Sequence, residues 1–354
     1  MRARFLKAAL LFLAAMLILA GCASGAKQQS STDNSGGASG KAALKVAYYV
    51  NGTLGDKGFF DSAQAGLEKA KKDLGIDLKT VEGGTNQADW AAGLESLVSG
   101  GKYEVIVVGT SQMKEIAIDI AKRYPNQKFI YFDEMIKDVP NLYSMLYSQS
   151  EGSFLAGAFA ALVTTSTELP GANPDKVIGF VGGMDIPIIN DFKAGYEQGA
   201  QYVDKDVKVI ASYVGDFSNA PKAKELGLAQ YNTQNVDISY NVAGGAGLGL
   251  LEAGKEVGKY SIGVDGNQNP LYPGSVLTSM MKNIDQSIYR ALELHIQGKL
   301  AYGTNEVLGI KEGGVGLAED DLYKQHVPKS IQDKMAEISK KLSGGEIQVK
   351  SIMQ

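Results

Sequence analysis

The sequence predicts an α/β protein with parallel sheets that are covered by helices on both faces. From Leu44 onward, short apolar segments rich in β-branched and aromatic residues alternate with amphipathic segments of helix length. A βαβα alternation of this kind is typical of parallel sheets. The alternation runs twice along the chain, and 354 residues are enough for two cores. We therefore expect two similar lobes, each built on a doubly wound parallel sheet.

The predicted strands are short runs of large apolar residues, and a helix-length pattern follows several of them. In the segment 61–74, for example, Ala63, Leu67 and Ala70 recur at the spacing of one helix face. The predicted strands cover residues 44–50, 76–81, 105–108, 129–132, 176–181, 207–213, 238–242, 260–264 and 276–280.

The boundary between the lobes is predicted near residues 147–151, where the first set of strands ends and a new helix begins. We expect residues 44–148 and about 268–300 in the N-terminal lobe, and residues 149–267 and about 301–354 in the C-terminal lobe. Several crossings between lobes would make a multi-strand hinge. The cleft would then lie at the carboxyl ends of the strands, where open α/β sheets bind ligands.

The N-terminus has the pattern of a lipoprotein signal peptide. Basic residues precede an apolar run over 8–20, which is shorter than the roughly 20 residues of a membrane-spanning helix. The run ends in a small-residue pair before Cys22, the pattern that the lipoprotein signal peptidase cuts. We expect loss of residues 1–21, a diacylglycerol on the Cys22 sulfur and a Ser/Gly/Ala-rich flexible tether over 22–43. An ordinary signal peptide with a chance cysteine is the alternative.

Composition excludes several classes of function. Removal of residues 1–21 leaves 32 basic and 39 acidic residues, a net charge of −7, which disfavours nucleic-acid binding. His295 and His326 lack companions at ligand spacing, so we expect neither a metal site nor a cofactor. The G-x-S-x-G, Walker A and H-E-x-x-H motifs of common enzymes are absent. We therefore expect a monomeric binding protein on the outer face of the cell membrane.

The loop 51–62, after the first predicted strand, holds the first group of candidate ligand-binding residues. Phe59 and Phe60 stand where a loop is normally polar, and aromatic rings there can stack on a flat ligand. Asp56 and Asp61 can accept hydrogen bonds from amines or hydroxyls. The alternative is structural: one phenylalanine anchors the following helix in the core and Asp61 caps that helix.

Further candidates follow later strands. Thr110 comes after the third strand, where helix capping is the main interpretation and ligand contact a secondary one. Asp133 ends the fourth strand and either points into the cleft or caps the next segment. Gly244 and Gly245 open a glycine-rich turn that lets a ligand approach backbone amides. This turn lacks the G-x-G-x-x-G spacing of dinucleotide-binding proteins, because residue 250 is Leu.

Two charged residues of opposite sign end neighbouring predicted strands. Asp265 follows the strand at 260–264, and Lys282 follows the strand at 276–280. Together they can clamp adjacent hydroxyls, with the carboxylate accepting and the ammonium donating hydrogen bonds. A structural salt bridge across the hinge is the alternative.

Several segments together resemble the basic membrane protein family. They are the lipoprotein cleavage site, GDKGFFDSAQAGLEKA, EGSFLAGAFAAL, IGFVGGMDIPIINDFKAGYEQGA, NVAGGAGLG, IGVDGNQ and VLTSMMKNID. The family consists of lipoprotein substrate-binding components of ABC importers and includes a purine nucleoside receptor. The resemblance implies a type I periplasmic-binding-protein fold, a nucleoside in the cleft and permease subunits as partners.

The resemblance also assigns roles to residues of the first loop. Asp56 and a base-stacking Phe59 match the family pattern, and Phe217 is similar to the second aromatic that closes over the base. The family places an asparagine that bonds the base where this chain has Phe60. This departure affects base specificity and leaves Asp61 as a candidate for the polar contact.

The same resemblance implies a sugar subsite. Asp265 and Lys282 fall on the ribose-binding pair of the family, and Asp133 falls on its strand-end aspartate. Met184 lies in a segment similar to one that lines the family's cleft, with simple packing as the alternative.

The leading hypothesis is a non-catalytic, membrane-tethered receptor that delivers nucleosides to an ABC importer. A binding protein for a sugar or another small polar ligand is the first alternative, because Phe60 removes a base-reading group. A surface sensor or adhesin is the second. An exported α/β enzyme is the third, and it would need a nucleophile or acid/base pair that the sequence does not present.

Overall fold

Two six-stranded sheets organise the computed structural model, which describes residues 43–353. The first sheet has the order β2-β1-β3-β4-β5-β11, and all of its neighbouring strands are parallel. Its strands are β1 (Lys45–Val50), β2 (Asp77–Glu82), β3 (Val105–Gly109), β4 (Lys128–Phe132), β5 (Leu142–Tyr147) and β11 (Asn305–Leu308).

The second sheet repeats this arrangement with the order β7-β6-β8-β9-β10-β12. Its strands are parallel except for β12, which pairs antiparallel to β10. They are β6 (Val177–Gly182), β7 (Lys208–Tyr213), β8 (Val236–Val242), β9 (Tyr260–Asp265), β10 (Val276–Lys282) and β12 (Val315–Leu317).

Helices cover both faces of each sheet. In the first lobe, Tyr48 of β1 belongs to an apolar cluster with residues of α1 and α8, and Tyr49 belongs to one with residues of α2 and α3 on the other face. The alternation follows from the two-residue period of a strand. The helices are α1 (Phe59–Leu74), α2 (Gln87–Ser99), α3 (Lys114–Arg123), α4 (Gln149–Thr164), α5 (Pro187–Val203), α6 (Ala220–Thr233), α7 (Leu248–Val257), α8 (Ile284–Ile296), α9 (Asp321–His326) and α10 (Lys329–Ser343).

The second lobe is doubly wound in the same way. Helices α4, α5 and α10 contribute to its larger apolar cluster, whereas α6 and α7 contribute to the cluster on the other face. Helix α4 is buried on almost every side, as expected for a helix without an amphipathic pattern. The prediction of two doubly wound parallel-sheet lobes is confirmed.

The structure corrects the predicted lobe boundaries at two strands. We expected residues 268–300 in the N-terminal lobe, but β10 pairs with β9 in the second sheet, with Met280 opposite Val264. We expected residues 301–354 in the C-terminal lobe, but β11 pairs with β5 in the first sheet. Strands β5, β11 and β12 were not among the predicted strands. Each correction concerns a pairing between strands that the local pattern of the sequence does not specify.

The chain passes between the sheets at three places: from β5 to α4, from β10 to α8 and from β11 to β12. Backbone hydrogen bonds join these crossings. The Ser148 N–H donates to the Leu308 carbonyl, and the Asn283 N–H donates to the Gly314 carbonyl, both at 2.9 Å. Because the chain crosses between the lobes three times at one place, the lobes can move relative to each other only by a hinge motion.

The strand orders fix where the cleft lies. In each sheet the order reverses between the first strand and the third, at β1/β3 and at β6/β8, and ligands bind outside the carboxyl ends at such points. Between residues 43 and 353 no helix is both long and apolar enough to cross a bilayer.

Candidate ligand-binding cleft

A cavity of about 370 Å³ lies between the lobes, at the carboxyl ends of strands from both sheets. We call it the cleft. Its lining includes every residue predicted from the sequence to bind ligand except Asp61. The predicted residues in the lining are Asp56, Phe59, Phe60, Thr110, Asp133, Met184, Phe217, Gly244, Gly245, Asp265 and Lys282.

Asp56 performs the capping role that the sequence suggested for Asp61. Its buried carboxylate accepts hydrogen bonds from the N–H groups of Gly58, Phe60 and Asp61 at 3.1, 2.8 and 3.1 Å, at the start of α1. Burial raises the pKa of this carboxyl group, and the three N–H donors oppose the rise. Asp56 therefore anchors the first loop, and it also belongs to the lining of the cleft.

Asp61 lies outside the cleft. Its carboxylate accepts hydrogen bonds from the N–H groups of Gly55 at 2.7 Å and Lys57 at 3.0 Å, so it holds the turn that precedes α1. Lys57 has φ of 55° and Gly55 has φ of 101°, which bends the loop back toward Asp61. Asp61 is therefore not positioned to replace the family asparagine, and the ring of Phe60 lines the cleft at that point.

Two half-buried phenylalanines, Phe59 from the first lobe and Phe217 from the second, line the cleft. The ring centroid of Phe59 lies 5.3 Å from that of Phe132, and Phe60 packs edge-on against Phe59 at 5.3 Å. The ring of Phe217 lies against Gly183, where any Cβ would overlap it. Packing thus fixes each ring before a ligand arrives.

Lys282 is 2% exposed and donates a hydrogen bond to Asp133, which follows β4 in the first sheet. Its ammonium nitrogen also lies 4.7 Å from the ring centroid of Phe192 and 5.6 Å from those of Phe59 and Tyr147. Aromatic faces attract a desolvated cation, so these rings stabilise the buried charge. The alternative of an Asp265–Lys282 salt bridge is wrong, because Lys282 forms its salt bridge with Asp133 instead.

Asp265 is 7% exposed, and its Oδ1 has no hydrogen-bond partner among residues 43–353. Burial raises the pKa of this carboxyl group to about 7; Lys282 opposes the rise, and the nearby Asp133 and Asp56 add to it. A buried acceptor without a partner costs about 1–3 kcal/mol. A hydroxyl or amine of a ligand in the cleft would remove that cost.

Three non-glycine residues that follow or end strands in the cleft have left-handed backbone: Thr110, Asp133 and Asp265, with φ of 78°, 70° and 64°. Such conformations cost on the order of 1–3 kcal/mol each and cluster at functional sites. Here they turn the chain sharply at the carboxyl ends of β3, β4 and β9. The Thr110 side chain does not cap the following helix, contrary to its main interpretation.

Asn51 is a candidate that the sequence interpretation missed. Its Nδ2 donates to Thr110 Oγ1 at 3.0 Å, and its Oδ1 is buried without a partner among the described residues. Because Nδ2 is committed to Thr110, the amide is oriented with Oδ1 as the remaining acceptor. The available signal was its position directly after β1, the first strand of the sheet.

The cleft also contains residues that the sequence interpretation did not select. Trp90 and Phe192 lie within helices α2 and α5, and Gln112 follows β3. The Gln112 Nε2 lies 3.6 Å from Met184 Sδ and thereby links the two lobes. Gly245 comes close to Asp56, since a Cβ at Gly245 would lie 3.6 Å from the Asp56 Cβ.

Comparison with known proteins gives consistent matches. The family model described as "ABC transporter substrate-binding protein PnrA-like" matches residues 43–350. Basic membrane protein A1 of Borrelia garinii subsp. bavariensis is 31% identical over 320 residues, which cover 87% of this chain and 90% of that protein. Basic membrane protein A of Borreliella burgdorferi is 30% identical over 324 residues, which cover 88% and 91%.

Solved structures support the fold. An ABC transporter solute-binding protein from Aeropyrum pernix K1 matches with a TM-score of 0.79 and 26% identity, covering 88% of this chain and 94% of that one. A solute-binding protein from Conexibacter woesei matches with a TM-score of 0.67 at 19% identity, covering 87% and 99%. The predicted type I periplasmic-binding-protein fold is confirmed.

Proposed function

This chain belongs to the PnrA-like family of ABC transporter substrate-binding proteins, and from that premise we propose that it captures a nucleoside, with a purine as the favoured base. The observation that carries the proposal is the division of the cleft into two chemical environments. Phe59 and Phe217 offer aromatic faces. Asp265 offers a buried carboxylate, and Lys282 on the neighbouring strand offers an ammonium that acts on it electrostatically. A nucleoside has the same division between a flat base and a polar sugar.

The base would stack on the aromatic residues. Phe59 is held by Phe132 and Phe60, and Phe217 is held against Gly183, so little side-chain entropy is lost on binding. Stacking of a base on an aromatic ring contributes about 1–3 kcal/mol.

The sugar would bind the charged residues. A ribose hydroxyl donates to Asp265, whose Oδ1 otherwise has no partner among the described residues, and Lys282 donates to a hydroxyl oxygen. A deoxy analogue would leave these buried groups unpaired. Sites of this kind reject such analogues strongly.

The proposal also covers how the ligand is delivered to a transporter and where the protein is located. Closure of the lobes around the ligand would present one surface to the permease subunits of an importer. Cys22, which lies outside the described residues, would carry the lipid that holds a monomeric, non-catalytic receptor on the extracytoplasmic face of the membrane. Two acyl chains suffice for stable attachment, whereas one chain is marginal.

A second candidate ligand is a sugar or another small polar molecule. The observation that favours it is the apolar Phe60 ring in the cleft, where the family has a polar residue, together with Asp61 bound to backbone elsewhere. Under this alternative, binding would depend on Asp265 and Lys282 and much less on the aromatic rings.

Isothermal titration calorimetry of the full-length protein tests the proposal. We expect adenosine or guanosine to bind more tightly than the free base, ribose or galactose. Binding of a sugar without binding of any nucleoside would favour the second candidate and contradict the first. A bound ligand should also raise the melting temperature by mass action.

A further inference from the structure

The connection between β9 and β10 carries a buried glutamine that reaches across to the first lobe. Gln268 is 1% exposed, and its Oε1 accepts hydrogen bonds from the Val264 N–H at 3.0 Å and from Asn241 Nδ2 at 3.2 Å. These two donors of the second lobe orient the carboxamide and leave Nε2 as the donor to a partner elsewhere. The Nε2 donates to the Lys57 carbonyl of the first loop at 3.3 Å. Gln268 thus joins a fixed position of the second lobe to the first loop.

The backbones of the two lobes also approach each other closely beside this hydrogen bond. A Cβ at Gly58 would lie 3.1 Å from the Val264 carbonyl oxygen, and a Cβ at Gly266 would lie 3.2 Å from the Lys57 carbonyl oxygen. Residues without a side chain allow so close an approach of two chain segments. We call the packing of Lys57 and Gly58 on residues 264–268 the interlobe contact.

The interlobe contact lies between cleft-lining residues of the two lobes. The first loop contributes Asp56 and Phe59 to the lining, one on each side of its half of the contact. The second lobe contributes Asp265, which lies within the other half. A Cβ at Gly58 would lie 3.6 Å from the Asp265 Cβ. The separation of the Phe59 ring from the Asp265 carboxylate is therefore set where the two segments touch.

We infer, resting on the proposed function for the identity of the ligand, that Gln268 is a positioning residue of the cleft. Its hydrogen bond to the Lys57 carbonyl holds the first loop against the end of β9 and keeps Phe59 and Asp265 at a spacing that one ligand can span. The two glycines of the interlobe contact let the lobes come close enough for this bond to form. Loss of the bond should favour a more open cleft and shorten the lifetime of the bound ligand, because only the closed form contacts the ligand from both lobes.

The Gln268→Glu variant removes the donor of this bond and keeps the acceptor. One carboxylate oxygen can still accept from Val264 and Asn241, so the contacts within the second lobe are retained. The other oxygen then faces the Lys57 carbonyl, and two acceptors repel each other. The variant therefore weakens the interlobe contact selectively.

Hydrogen exchange of the first loop, residues 51–62, reports on the interlobe contact without any ligand. Five N–H groups of this loop donate to the carboxylates of Asp56 and Asp61, so they exchange only when the loop moves. In the ligand-free full-length protein, we expect Gln268→Glu to accelerate their exchange at least about fivefold, as measured by mass spectrometry. Exchange of this loop at the wild-type rate would overturn the inference, whether or not a nucleoside binds.

Gln230→Glu is the matched control for this variant. Gln230 is also buried, and its Nε2 donates to the carbonyls of Phe180 at 3.1 Å and Ile210 at 3.3 Å, both within the second lobe. The control loses the same kind of donor and loses stability with it, but the first loop should exchange at the wild-type rate. An equal acceleration in both variants would show a general loss of stability and would overturn the inference.

Ligand dissociation provides a second measurement. Trp90, the single tryptophan of the chain, belongs to the cleft lining, so its fluorescence can follow guanosine binding in a stopped-flow instrument. We expect Gln268→Glu to raise the dissociation rate constant at least about fivefold and to change the association rate constant less than about twofold. An unchanged dissociation rate constant would overturn the positioning role. Failure of guanosine and adenosine to bind the wild-type protein would contradict the proposed function, and hydrogen exchange would still decide on the interlobe contact.

Gly266→Ala tests the interlobe contact by a second route, should Gln268→Glu fail to fold. The Gly266 backbone is not left-handed, so alanine is allowed there, but its methyl group would crowd the Lys57 carbonyl oxygen. Loop exchange and guanosine dissociation should both accelerate at least about threefold. Gly100→Ala, at the end of α2, is the control, because a Cβ there would lie 3.6 Å from its nearest neighbour, the Ser96 carbonyl oxygen. Wild-type behaviour of Gly266→Ala in both measurements would overturn the inference.

Discussion

Lys282 at the end of β10 donates a hydrogen bond to Asp133 at the end of β4, and this buried ion pair joins the second sheet to the first inside the cleft. Both side chains are more than nine-tenths buried. Transfer of two charges from water to the protein interior has a desolvation free energy that usually exceeds the gain from their mutual attraction. Further contacts are needed to compensate for the difference. Here the aromatic rings of Phe192, Phe59 and Tyr147 surround the ammonium and supply such contacts.

Loss of one partner of this pair should destabilise the protein strongly. We expect Lys282→Met to lower the free energy of unfolding by about 3–5 kcal/mol, because Asp133 remains as an uncompensated buried charge. Replacement of both residues, as Lys282→Met with Asp133→Leu, should recover most of the loss. Urea denaturation measures these changes. A double variant as unstable as the single one would contradict this explanation.

The control for that experiment is an exposed ion pair. Lys329 pairs with Asp333 on the surface of α10, and both side chains are well exposed. Exposed pairs contribute little to stability, so Lys329→Met should leave the urea midpoint unchanged within error.

Asp265 should lower the stability of the ligand-free protein at high pH. Its folded-state pKa is about 7, above the ordinary 3.8. The folded state therefore holds this proton more tightly, and stability is lost as pH rises from about 4 to about 7. We expect Asp265→Asn to be more stable than wild type by up to about 4 kcal/mol at pH 8, and the difference to shrink at pH 4. Melting curves at both pH values measure this, and an equal difference at the two values would contradict it.

The fold could be predicted largely because its signals are local. The alternation of strand and helix patterns, together with glycines and charged turns, predicted most strands of both sheets. The partners of β10 and β11 could not be predicted, because pairing across the hinge depends on contacts distant in sequence. Strand β5 was missed because LYSMLY contains no β-branched residue, the usual mark of a strand.

The residues of the candidate site could likewise be predicted only in part. Residues at strand ends could be placed in the cleft, since the carboxyl ends of parallel strands meet at one edge of a sheet. Trp90 and Phe192 could not, because the side of a helix that faces the cleft is set by packing. The exchanged roles of Asp56 and Asp61 depend on the left-handed backbone at Lys57, which no residue preference at that position reveals.

Ligand affinity should rise with pH through neutrality. If a hydroxyl of the ligand donates to ionised Asp265, binding favours the deprotonated form of a group whose pKa is about 7. The dissociation constant should therefore fall about tenfold between pH 6 and pH 8 and level off above. Calorimetry across this range measures the profile, and Asp265→Asn should flatten it. Affinity that falls with rising pH would exclude Asp265 as the acceptor.

Removal of the Phe217 ring should weaken binding of base-containing ligands in particular. We expect Phe217→Ala to raise the dissociation constant of a nucleoside about 10- to 100-fold, which corresponds to about 1–3 kcal/mol of stacking. Phe217→Tyr keeps the ring and should preserve most of the affinity. Tyr202→Ala, at an exposed aromatic on α5 that pairs with Phe154, serves as the control. Equal affinity of the Phe217→Ala and wild-type proteins would exclude stacking on this ring.

Cys22 should determine whether the protein is attached to the membrane, without affecting its affinity for ligand. Two acyl chains on this residue, at roughly 0.8 kcal/mol for each buried CH₂, would hold the chain on the membrane. We therefore expect Cys22→Ala to move the protein from the membrane fraction to the soluble fraction of fractionated cells, with nucleoside affinity unaltered. Ser24→Ala alters the same segment but keeps the thiol, and it should remain in the membrane fraction with incorporated radiolabelled palmitate. Retention of Cys22→Ala in the membrane fraction would rule out lipidation of Cys22 as the means of attachment.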